Sequence, residues 1–106
     1  MQSVIASEAG IKLHTEDDVL GLIGSGLPAC ILSVEDLHPQ FFDLRNGIAG
    51  SIFQKLVNYR FRVAIILPAD HGFGPRVTEL AREHRHHPVI RFFATLDEAE
   101  AWAKNR

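Results

Sequence analysis

Apolar positions recur at helical spacing in four stretches of the chain, and each stretch follows a short apolar run of strand length. The first helical stretch predicts a helix from Thr15 as N-cap, with Asp17 and Asp18 in the first turn, where carboxylates favour the positive end of the helix dipole. Val19, Leu22 and Ile23 form its stripe, and Gly24-Ser25-Gly26 with Pro28 ends it. Ile48, Ile52, Phe53, Leu56 and Val57 line a second helix over 47–58, in which Gly47, Ala49 and Gly50 allow close approach to a strand. A third starts at Pro75 or Arg76 and runs to about His84, with Val77, Leu80 and Ala81 inward. Thr95 caps a fourth, Glu98 completes a capping box, and Leu96, Ala99, Trp102 and Ala103 supply the apolar face.

The strand-length runs are Ile11–His14, Ala29–Val34, Phe61–Leu67 and Val89–Phe93. Val4-Ile5-Ala6 forms a short run ahead of them, and Ala9-Gly10 suits a hairpin turn between it and Ile11. Val63-Ala64-Ile65-Ile66-Leu67 has no polar alternation, the mark of a strand buried on both faces in the middle of a parallel sheet. The expected fold is therefore α/β: one domain over residues 1–106, with a mostly parallel sheet built from four successive strand-helix units preceded by a short strand. Segment 35–45 reads as polar and irregular. On open α/β sheets ligands bind beyond the carboxyl ends of strands, which here selects loops 35–46 and 68–76.

Composition narrows the function classes. A chain of 106 residues builds one core, and 46% hydrophobic with 23% charged residues excludes disordered and fibrous classes. A net charge of −2 gives no long-range attraction to nucleic acid or anionic lipid. The start of the chain has no signal-peptide pattern, and no apolar run reaches the ~20 residues that span a bilayer. Cys30, alone inside Ala29-Cys30-Ile31-Leu32, reads as a small buried hydrophobe and fits a reducing compartment. The expectation is a cytoplasmic protein with no membrane and no nucleic-acid partner.

Four groups of residues are candidates for chemistry. Asp43, Arg45, Asn46 and Gly47 stand at a helix N-terminus, where backbone N–H groups and an arginine fork suit an anion; the alternative, which the weakness of a lone Gly-x-x-Gly pattern favours, is that Asp43 caps the helix, Arg45 pairs with a nearby carboxylate and the glycines serve packing. His38, Asp70, His71 and Arg76 join Asp43 in the two strand-end loops, as pocket residues or as solvated turn residues. His84, His86 and His87 lack a partner carboxylate or cysteine at ligand spacing, so no metal site is expected. Phe41 and Phe42 are adjacent aromatics, of which one anchors a partner or both are buried under a folded loop.

The segment Phe41-Phe42-Asp43-Leu44-Arg45-Asn46-Gly47-Ile48-Ala49-Gly50, followed by Gln54-Lys55-Leu56-Val57-Asn58-Tyr59-Arg60, resembles the bacterial "domain of unknown function 4180" proteins. The resemblance covers nearly the whole chain and departs from the family pattern at 68–75, where glycine and histidine replace a serine-containing loop. It implies no activity. The order of elements is also similar to the anti-sigma-factor antagonist (STAS) fold, which implies a regulatory module. The position of that fold's phosphorylated hydroxyl is held here by Arg45, Asn46 and Gly47, with Ser51 one turn further in.

With no nucleotide fingerprint, metal ligand set or nucleophile turn, no catalytic residue and no cofactor is assigned. The expected function is a non-catalytic regulatory or protein-interaction module, with a protein partner or a second copy of the chain bound. The alternative is a protein or enzyme binding a small anionic ligand at loops 35–46 and 68–76. A concave site uniting the two loops favours the alternative; a flat surface favours the first reading.

Overall fold

The structure is a computed structural model that describes residue 13 and residues 16–37, 39–43 and 47–104. Its elements in chain order are α1 (Glu16–Ile23), β1 (Ala29–Ser33), 3₁₀ turns Val34–Asp36 and Pro39–Phe42, α2 (Ile48–Asn58), β2 (Arg62–Ile66), α3 (Pro75–Glu83), β3 (Ile90–Phe93) and α4 (Leu96–Lys104). The three strands form one parallel sheet in the order β1-β2-β3. Three of the four expected strand-helix units are present in full. The first contributes Leu13, in a parallel bridge with Leu37 closed by the Leu13 N–H donating to the Asp36 carbonyl at 2.8 Å. The expected hairpin before it and the Thr15 cap lie outside the described residues.

The unbroken apolar run is the central strand. Val63, Ala64 and Ile65 of β2 are all at most 1% exposed, as burial on both faces requires. Side chains alternate across the sheet. Cys30, Leu32, Val63, Ile65 and Ile90 join the large core with Val19 and Leu22 of α1, Ile52, Phe53 and Leu56 of α2 and Val77 of α3. Ala29, Ile31 and Ala64 form the opposite cluster with Ala99 and Ala103 of α4, against Ile66, Phe93 and Trp102. Small residues on both sides let α4 lie close to its face, while among the described residues α1, α2 and α3 cover the other.

Two apolar positions in the predicted stripes turn outward. Val57 is 38% exposed and Leu96 39%. In α2 the buried residues are Ala49, Ile52, Phe53 and Leu56. At about 100° per residue, Ile48 and Val57 fall a quarter turn to either side of that stripe, so Ile48 is half-buried and Val57 faces out. The segment after β1, expected to be irregular, instead winds into the two 3₁₀ turns, the first held by Asp36. Its buried carboxylate accepts the Ser33 N–H at 2.9 Å and the Ser33 hydroxyl at 3.0 Å. At α4 the Glu98 N–H donates to the Thr95 hydroxyl at 3.3 Å, and that hydroxyl donates to the Glu98 carboxylate at 3.1 Å, a variant of the predicted capping box.

Cys30 is fully buried, and burial together with the Asp36 carboxylate pushes its thiol up to about 12, so at neutral pH it is a packed thiol rather than a nucleophile. Among the described residues no helix is long and apolar enough to cross a membrane.

Candidate functional site

The two strand-end loops meet through stacked aromatic rings. Phe41, 1% exposed, drives the first loop into the core, with its ring edge-on to Phe53 at 5.6 Å and to Phe42 at 5.2 Å. Phe42, 8% exposed, turns toward the second loop, and its ring stacks on Phe73 at 4.0 Å with 11° between planes. The His71 ring lies nearly parallel to that of Phe73, 5.6 Å from it. Gly72 (φ 75°) and Gly74 (φ 99°) take positive-φ backbone conformations on either side of Phe73, which glycine adopts without steric cost.

His71 holds this loop. Its Nδ1 accepts the Phe73 N–H at 2.9 Å, so in the neutral ring the proton is on Nε2, which lies 2.8 Å from the Thr78 hydroxyl. That hydroxyl in turn donates to the Gly74 carbonyl at 3.4 Å. Both ring nitrogens are therefore engaged in fixing the start of α3, and the arrangement is a positioning one.

Between the loops lies an open cleft of about 440 Å³, lined by Phe42, Asp43, Phe73, Gly74, Pro75, Arg76 and Val77. Its floor is the first turn of α3, where no side chain caps Gly74 and no acidic residue stands. Pro75 has no N–H, and the N–H groups of Arg76 and Val77 precede the first intrahelical bond, from Thr78 N–H to the Gly74 carbonyl at 3.4 Å. An exposed Arg76 guanidinium and a helix N-terminus thus share the cleft with aromatic edges and, on its rim, Asp43. The chemistry offered is attraction of a small anion with an apolar part.

The predicted site residues divide accordingly. Asp43, Phe42 and Arg76 line the cleft, His71 supports it from behind, and Phe41 lies beneath it in the core. Asp70 is exposed in the turn at 69–70 and is not among the lining residues. Gly47, with φ 76°, is the N-cap of α2, so Asp43 does not occupy that position. His38, Arg45 and Asn46 lie outside the described residues. Phe73 and Gly74 were not singled out by the sequence; the signal was an aromatic between two glycines in a loop beyond a buried strand.

The His84 and His87 rings have structural partners. His84 Nδ1 lies 2.9 Å from the Leu80 carbonyl, and His87 Nδ1 accepts two backbone N–H groups, Val89 at 3.1 Å and Ile90 at 3.0 Å. Among the described residues no three histidine, cysteine, aspartate or glutamate side chains gather to hold a metal. Burial, the neighbouring His84 and the Arg91 charge, in that order, hold His87 below its ordinary value of 6.5. Below that pH the unfolded chain takes up a proton that the folded chain resists. Stability is therefore expected to fall as pH drops below about 6.5 and to level off once His87 is protonated in the folded state. His87→Asn keeps an acceptor for the two N–H groups and removes the titration, so its urea midpoint should change less between pH 7 and 5 than that of the wild type. Equal slopes would rule out His87 as the source.

The chain belongs to the family described as Domain of unknown function (DUF4180), whose family model matches residues 1–103. No curated protein and no solved structure was found to be similar to it.

Proposed function

We propose that this member of the family is a non-catalytic binding module that takes a small anionic ligand in the cleft between the strand-end loops, and that occupancy of the cleft is its regulatory signal. The observation that carries this reading is the cleft itself, a concavity shared by Phe42 and Asp43 of one loop and by Phe73 to Val77 of the other. A flat surface there would have favoured a partner-docking role alone. An acid group of the ligand would face Arg76 and the N–H groups opening α3, and its apolar part would lie along Phe42 and Phe73. The regulatory role is proposed by analogy with the STAS fold, which the order of elements read from the sequence resembles.

The test is a thermal-shift screen of anions, nucleotides and metabolite carboxylates against the wild type and Arg76→Ala. Arg76 is exposed, so its loss should leave the melting temperature within about 2 °C. A ligand that stabilises the wild type should lose at least about tenfold in affinity in the variant, the effect of one charge-assisted fork. No shift with any anion would leave the interaction-module reading in front. That second reading has an observation of its own, since the Phe73 ring is 39% exposed at the cleft rim and offers an anchor to a partner.

A further inference from the structure

At the amino end of β2, far along the strand from the cleft, the sheet face covered by α4 carries a second polar cluster. Arg62 opens β2, and the register that sets Ala64 beside Arg91 places the two arginines on the same face of adjoining strands. Both converge on one indole. The Arg62 guanidinium carbon is 4.2 Å from the centroid of the Trp102 ring, and that of Arg91 is 5.3 Å from it.

Each guanidinium is oriented by carbonyls. Arg62 Nη2 donates to the Trp102 carbonyl at 2.6 Å, near the end of α4. Arg91 Nε donates to the His87 carbonyl at 2.7 Å, and its Nη2 to the His86 carbonyl at 3.3 Å. A guanidinium has five N–H groups, so these bonds fix both side chains and still leave donors on each. Neither has a carboxylate partner among the described residues; the ion pair near this end of α4 is Lys104 with Glu100. Burial, and after it the nearby Arg91 charge, hold Arg62 below its ordinary value.

We propose that Arg62 and Arg91, braced on Trp102, form a binding site for a phosphate-type oxyanion, distinct from the cleft. A carboxylate has two oxygens and satisfies one guanidinium fork. A tetrahedral phosphate presents enough acceptors for two forks at once, and its double charge matches the two cations. The shared chemistry is the phosphoryl group, either free or as a phosphomonoester.

Trp102 is the only tryptophan in the chain, so its fluorescence reports this site directly. The experiment titrates inorganic phosphate, and in a parallel arm glycerol phosphate, into the full chain at constant ionic strength, with chloride as the control ion. The expected result is a saturable change in Trp102 emission that chloride does not produce. Arg62→Gln and Arg91→Gln keep an N–H donor for the carbonyls but lose the charge, and each should weaken phosphate binding at least about tenfold. Arg76→Ala should leave it unchanged, which separates this site from the cleft. The tighter of the two arms identifies the free ion or the ester as the better ligand, and saturable binding in either supports the site. An equal response to chloride, wild-type binding by both glutamine variants, or loss of binding in Arg76→Ala would overturn the proposal. Should circular dichroism show that the glutamine variants do not fold, the side-chain Nε–H resonances of Arg62 and Arg91 in the wild type decide the matter. They must shift with phosphate, and resonances that stay in place overturn it.

Discussion

Phe41→Ala is expected to lower the unfolding free energy by about 3–5 kcal/mol, the range for deleting a fully buried phenyl ring. The ring is 1% exposed and packs edge-on against Phe42 and Phe53, so its removal opens a cavity that a short 3₁₀ turn cannot refill. A domain of this size has roughly 5–15 kcal/mol in total, so the loss is a large fraction of the whole. The same ring seats the loop that carries Phe42 and Asp43, and the variant should therefore lose cleft ligands as well as stability. Equilibrium urea unfolding measures the first effect. A cost below about 1 kcal/mol would mean that the turn at 39–42 does not dock on the core, and the cleft would lose one of its walls.

Ile65→Ala is expected to cost about 2–5 kcal/mol. Ile65 sits in β2 between Leu32 of β1 and Phe92 of β3, and it points to the face on which α1, α2 and α3 pack. At 1% exposure it has no route by which water could replace the lost methyl groups cheaply. Its denaturant midpoint should fall while the slope stays at the wild-type value, because the folded and unfolded surfaces change little. A negligible loss would remove β2 from the centre of the sheet and with it the placement of both strand-end loops.

These two positions differ in how they could be known. Ile65 lies in an unbroken apolar run, and such a run has one reading in a chain that alternates strands with helices. Phe41 and Phe42 are chemically identical neighbours. Only the docking of their turn decides that the first ring goes into the core and the second lies against Phe73, 31 positions later in the chain, where it forms the cleft. In the same way, His71 was legible as a loop histidine, but its use as a brace for the Phe73 N–H and Thr78 depends on a turn whose shape is set by two glycines with positive φ. The basic cluster escaped the sequence altogether. Arg62 and Trp102 are 40 positions apart, and nothing in the run around either one points to the other.

What the sequence determined by itself was local. The 3.6-residue helical periodicity, the continuous apolar runs of the strands, Pro75 at a helix start and the Thr95–Glu98 pair at another depend on residues within one turn or one strand of each other, so they act before any tertiary contact forms. The tertiary structure decided which face of each element is covered, and therefore that Val57 and Leu96 are left outside the core. It also decided which distant side chains meet: Phe42 with Phe73 at one end of the sheet, Arg62 and Arg91 with Trp102 at the other. Those meetings follow from strand order and register, which are fixed by burying the whole set of apolar faces at once and are written in no single segment of the chain.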